Sequence, residues 1–127
     1  MLAPYLVRAR PGIGNGLFAA RTFAKGEFVV EYTGARIPTP HADMLSSRYL
    51  FEIDHAWTVD ASGEENIGRF VNHSCEPNCE ATIQSGRIFF YAMCDIEVGE
   101  ELTLDYGDEY FDEFIRPVGC KCKVCST

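Results

Sequence analysis

A chain of 127 residues is long enough for one sizeable core and too short for two. An apolar fraction of 46% with 13% aromatics describes a globular protein, not a disordered one. The formal charge of −8 argues against direct nucleic-acid binding, which needs a basic stripe to neutralise phosphates, and suits a basic protein or peptide as partner.

Along the chain, Gly14-Asn15-Gly16 forms a tight turn before a strand at Leu17-Phe18-Ala19-Ala20. Lys25-Gly26 makes the next turn, before a strand at Phe28-Val29-Val30-Glu31-Tyr32. A short helix is expected over His41 to Arg48 after Pro40, then strands at Tyr49 to Ile53 and Trp57 to Asp60. Asn66 to Val71 supports a single helical turn. Ser85-Gly86 reads as the hairpin turn between Ala81-Thr82-Ile83 and a strand at Ile88 to Met93, and the last strand is expected at Glu101 to Tyr106. The fold class is therefore mainly β, with irregular loops between short strands. Apolar runs such as Ile88 to Met93 are too short to span a bilayer, so no membrane association is expected. The N-terminus has no charged region followed by an apolar one, so the chain is expected to be intracellular. In a reducing compartment, six cysteines point to metal ligation more than to disulfides. Nine carboxylates and no Lys or Arg lie between Asp95 and Glu113, a run read as a solvated face.

The chemistry-bearing segments are Glu31-Tyr32-Thr33-Gly34, Arg69-Phe70-Val71-Asn72-His73-Ser74-Cys75-Glu76-Pro77-Asn78-Cys79 and Gly99-Glu100-Glu101-Leu102-Thr103-Leu104-Asp105-Tyr106-Gly107. In order and spacing they resemble the SET-domain lysine methyltransferases from about residue 5 to residue 125. The resemblance implies a SET-domain fold of several small sheets with a knot-like C-terminal threading. It implies a catalytic unit over residues 1–110 and a cysteine-rich tail over 111–127, packed together as one structural unit. It implies S-adenosylmethionine as methyl donor, held by Gly14, Asn15, Gly16, Tyr49, Arg69, Asn72 and His73. Tyr106 matches the tyrosine of the methyl-transfer site, and Tyr32, Tyr49 and Leu104 match positions along the substrate-lysine channel. A basic, histone-like protein is the implied substrate, with a cytoplasmic location, or a nuclear one in a eukaryotic setting.

The reaction makes sense of these residue types. The amine must reach the sulfonium neutral, and at neutral pH only about one free lysine in two thousand is. A tyrosine-lined channel disfavours the ammonium by desolvation, and the sulfonium disfavours it by like charge. A phenol at Tyr106 then orients the nucleophile without acting as a strong base. His73 is given no acid–base role, and Asp105 a structural one.

Cys120, Cys122 and Cys125 put three thiols within six residues, and a closed zinc site needs four ligands. By the same resemblance Cys75 is the fourth ligand of one structural Zn, while Cys79 and Cys94 are left as packing residues. The tail has two residues between its second and third cysteines where the family usually has four. Leu104 replaces the Phe or Tyr that many members carry, which favours addition of more than one methyl group. The stretch from Gly34 to Tyr49 is short, so the peptide groove is expected to be completed by self-association as a homodimer or by a partner.

Overall fold

A computed structural model of the chain describes residues 3–10, 14–107, 110 and 114–115. Among them are ten short strands, one four-residue α-helix and one 3-10 turn, so the architecture is mainly β, as expected. Most of the tail 111–127, with its expected zinc staple, and the end of the C-terminal threading lie outside the described residues.

Three small antiparallel sheets and one parallel pair carry the fold. Strand β1 (Tyr5–Arg10) pairs with β2 (Gly14–Ala19). Strand β3 (Phe28–Tyr32) is followed by β4 (Ala35–Pro38), helix α1 (Thr39–Ala42), β5 (Leu50–Glu52) and β6 (Trp57–Asp60). After the 3-10 turn Ile67–Phe70 come β7 (Asn72–His73), β8 (Cys79–Gln84), β9 (Arg87–Ala92) and β10 (Thr103–Leu104). The sheet orders are β3-β9-β8 and β4-β6-β5, and β10 lies parallel to β7.

Alternation sets the core. In β9, Ile88, Phe90 and Ala92 are buried while Arg87, Phe89 and Tyr91 face outward, the period of two of a half-buried strand. In β3 both Val29 and Val30 are buried, because a register shift between Phe28 and Val30 inserts one extra residue opposite β9. Phe23, Leu17, Ile96 and Leu102 complete the fully buried centre with Ile88 and Phe90. Burying each such side chain contributes about 1.5–3 kcal/mol.

Three expected elements differ. The tight turn expected at Gly14-Asn15-Gly16 is instead the first half of strand β2, paired with Arg10, Ala9 and Arg8 of β1. The helix expected over 41–48 is confined to Thr39–Ala42. Beyond Ala42 the sequence has no face to bury, since Met44 is 84% exposed and Leu45 is also exposed. What holds the short helix is its first residue: Thr39 Oγ1 lies 2.8 Å from the Asp54 carbonyl and 2.9 Å from the Thr58 hydroxyl. The strand expected over 101–106 is reduced to two residues because this segment changes neighbours. Glu101 bridges Phe18 and the Leu102 N–H donates to the Leu17 carbonyl at 2.8 Å, whereas Thr103 and Leu104 pair with Asn72 and His73. Asp105 then accepts the Gly107 N–H at 2.9 Å and turns the chain away.

Candidate active site

The change of neighbour at residues 101–104 gathers the distant sequence blocks. Asn78 is the clamp. Its Oδ1 accepts the Thr103 N–H at 2.9 Å and its Nδ2 donates to the Glu101 carbonyl at 2.8 Å, tying the loop after β7 to β10. On the other side, Asn72 Nδ2 donates to the Asn15 carbonyl at 2.8 Å and to Glu101 Oε2 at 2.9 Å. Glu101 Oε1 in turn pairs with Arg10 at 2.9 Å. The Gly14–Gly16 end of β2 is thereby fixed against Asn72 from a distance of 57 residues in sequence. Gly14 has φ +116°, and a Cβ on Gly16 would stand 2.5 Å from Glu101 Oε2 and 3.2 Å from Asn72 Nδ2, so this corner needs glycine for backbone shape and for space.

Next to that corner His73 is buried, with Nε2 3.6 Å from Cys75 Sγ and Nδ1 3.8 Å from Asp105 Oδ1. Burial pushes its pKa below the ordinary histidine value and Asp105 offsets only part of that, so the imidazole is neutral at neutral pH. Arg69 donates from Nε to the Ala61 carbonyl at 2.9 Å and lies over the Tyr49 ring at 4.0 Å, joining the loop before β5 to the 3-10 turn.

Tyr106 closes the assembly. Its hydroxyl donates to the Val71 carbonyl at 2.6 Å, and its ring stacks on Tyr110 at 4.6 Å and meets Phe51 edge-on at 6.1 Å. Desolvation, then the neighbouring Tyr32 and Tyr110, push its pKa well above that of a free phenol. The group is therefore a neutral phenol whose proton is committed to Val71 and whose oxygen lone pairs remain available to an incoming N–H. Val71 itself precedes the Asn72-His73 pair, so the Tyr106 hydroxyl and the corner at Asn15 and Asn72 share one stretch of backbone.

Tyr106 opens into a cavity of about 430 Å³ that is also lined by Ala42, Asp43, Leu45, Ser47, Leu50, Phe51, Glu52, Thr58, Tyr110 and Phe114. Asp43 and Glu52 are its charged lining residues, and among the described residues no Lys or Arg lines it. Tyr32, Tyr49 and Leu104 are not among the lining residues. Tyr32 is buried with its ring 5.2 Å from Phe51, which does line the cavity, and Leu104 is buried in the core. Tyr110, Phe114 and Phe51 were not singled out from the sequence, although the spacing of Tyr106, Tyr110 and Phe114 at i, i+4 and i+8 carried a signal for the first two. Arg48 left no such signal.

The cysteines separate. Cys75 and Cys94 are exposed and Cys79 is 1% exposed. Cys94 is thus not the packing residue it was expected to be: it follows β9 where the chain has left the core. Burial raises the Cys79 thiol to about 12, so it stays protonated and fits packing. Cys120, Cys122 and Cys125 lie outside the described residues, and no cluster of metal ligands occurs among the described ones.

Residues 14–107, which hold Gly14, Asn72, His73, Asn78, Glu101 and Tyr106, match the SET domain. The chain belongs to the SET-domain family. The SET domain here is 39% identical over 128 residues to a Saccharomyces cerevisiae protein named histone-lysine N-methyltransferase, H3 lysine-4 specific, covering 90% of this chain and 12% of the relative. Proteins of the same name from Emericella nidulans and Neurospora crassa are each 40% identical, over 90% and 91% of this chain and 10% and 9% of their own length. The chain therefore spans about a tenth of the length of the curated relatives it matches.

Proposed function

We propose that this SET domain is a protein-lysine N-methyltransferase acting on a lysine side chain of a basic protein. The observation that carries the reading is Tyr106: a neutral, half-buried phenol, fixed by Val71, at the wall of a cavity whose charged lining is acidic. Asp43 and Glu52 favour entry of a cation, and the aromatic walls at Phe51, Tyr106 and Tyr110 disfavour keeping its charge. Because Tyr106 donates to Val71, its lone pairs can accept from the amine and aim the nitrogen lone pair, where alignment is worth about 7–11 kcal/mol of barrier.

S-adenosylmethionine is assigned to the corner where Gly14 and Asn15 are exposed and Asn15 meets Asn72, with the neutral His73 next in the chain and Arg69 in the 3-10 turn before them. Bound there, it supplies an electrophilic methyl group on a sulfonium. Tyr49, under the Arg69 guanidinium, supports this side. Histone H3 is the first substrate to offer, because the named relatives act on it, and a chromatin location follows from that choice. Exposed Leu45, which lines the cavity, and its exposed neighbour Met44 are where a partner or a second copy would complete a peptide groove. We also propose that Cys75 joins Cys120, Cys122 and Cys125 around one zinc, a role its exposed thiol fits and that of Cys79 does not.

The decisive experiment is transfer of radiolabel from S-adenosylmethionine to histone H3 and mixed basic proteins, beside Tyr106→Phe. Loss of the aligning hydroxyl is expected to slow transfer about 100-fold. Undiminished labelling in the variant removes Tyr106 from the reaction. Cofactor and peptide binding without any labelling favours a non-catalytic binding module.

A further inference from the structure

Arg48 is not part of any motif, yet it sits behind the aromatic wall of the cavity. It is half-buried, in the loop that leads into β5, and its Nε donates to the Tyr110 hydroxyl at 3.4 Å. Tyr110 is the ring that stacks on Tyr106, with centroids 4.6 Å apart and planes 26° from parallel, and it also lies face-on to His73 at 6.4 Å. The guanidinium is thus one stacked ring away from Tyr106. A lysine at this place could keep the charge but not the planar donor geometry, and an apolar residue could keep neither.

We propose that Arg48 is a positioning residue of the methyl-transfer site: it holds Tyr110 stacked on Tyr106, and it sets a permanent positive charge beside the place where the substrate amine must be neutral. The proposal rests on the lysine-transfer reading above. Its electrostatic half follows from sign. A fixed cation disfavours the ammonium and lowers the pKa of the amine, which enlarges the reactive neutral fraction at any pH below that pKa. The ionisable groups that act electrostatically on Tyr106 are Tyr32 of β3, Tyr110, Cys79 of β8 and Arg48. From the cavity, Asp43 after α1 and Glu52 on β5 add negative charge. The two carboxylates attract the ammonium, and Arg48 opposes its charge at the Tyr106 end. Entry and deprotonation are thus assigned to different residues.

Two variants and two measurements test this. In the protein alone, the nuclear Overhauser contact between the Tyr106 and Tyr110 rings should be strong, and lost in Arg48→Met. In turnover with a saturating basic peptide, the rising limb of the kcat profile should move to higher pH by about one unit in Arg48→Met, because the pKa of the bound amine rises once the cation is gone. Arg48→Lys should keep the limb near its original place while kcat falls, since the ammonium does not orient the phenol. A limb that does not move in Arg48→Met, or a ring contact that survives there, overturns the proposal. If the unmodified protein methylates nothing, the transferase reading fails on its own, and the ring contact still decides whether Arg48 positions Tyr110.

Discussion

At the scale of single residues, Leu104 stands two places before Tyr106 and is 3% exposed, paired with His73 across the β10–β7 ladder. Leu104 lies in the core and puts neither bulk nor a hydroxyl into the cavity, so the active protein is expected to add more than one methyl group to the same lysine. Mass spectrometry at saturating cofactor reads this directly, and a product that stops at monomethyl-lysine sinks the expectation. Leu104→Tyr should move the product toward monomethyl-lysine. Because the site is already filled, the larger ring should also cost about 1–3 kcal/mol of stability. A melting curve run beside the product analysis separates altered specificity from loss of fold.

The hairpin β8–β9 carries the outer part of the central sheet, and its turn is Ser85-Gly86 with φ +51° and +74°. Positive φ at both central positions is the geometry whose twist suits two antiparallel strands, and it disfavours a serine while asparagine tolerates it. Ser85 is exposed, so replacement meets no packing. Ser85→Asn should therefore stabilise the domain by about 0.5 kcal/mol, a rise of about 2 °C in melting temperature for a chain of this size. A melting temperature that falls would mean that the turn does not limit this hairpin. The same element shows why parts of the fold could be read in advance. In β9 one face is buried and the period of two is plain, and β6 begins and ends where expected. Strand β1 was missed because its four middle residues are all exposed and leave no alternation to find. Residues 101–104 were misjudged in extent because they serve two neighbours in turn. In the site, the Gly14–Gly16 segment and the Asn72-His73 pair were legible as separate pieces, although the first is the start of β2 and not a turn. Their connection through the Asn72 amide and Glu101 was not, since it depends on contacts 57 and 29 residues apart.

Across the whole molecule, the loop from His73 to Cys79 faces two ways. Cys79 points into the core, with its thiol held up at about 12, and Cys75 is exposed beside the imidazole of His73. A zinc ligand must be a thiolate, and only the exposed position can give up its proton and still meet a second segment of chain. That second segment is proposed to be the tail with Cys120, Cys122 and Cys125. A site shared between residue 75 and the tail would bind the C-terminus to the loop that carries Asn72, His73 and, through Val71, the Tyr106 hydroxyl. Metal content and activity should then fall together. Elemental analysis is expected to find about one zinc per chain. Chelation should lower the melting temperature by at least about 5 °C, equivalent to about 1–2 kcal/mol in a domain of this size, and should reduce methyl transfer. Cys75→Ser should reproduce both losses without chelator, and Cys94→Ser, at the other exposed cysteine, should cause neither. Zinc retained in Cys75→Ser, or none in the unmodified chain, would separate this loop from the tail and leave the closure of the site to side-chain packing alone.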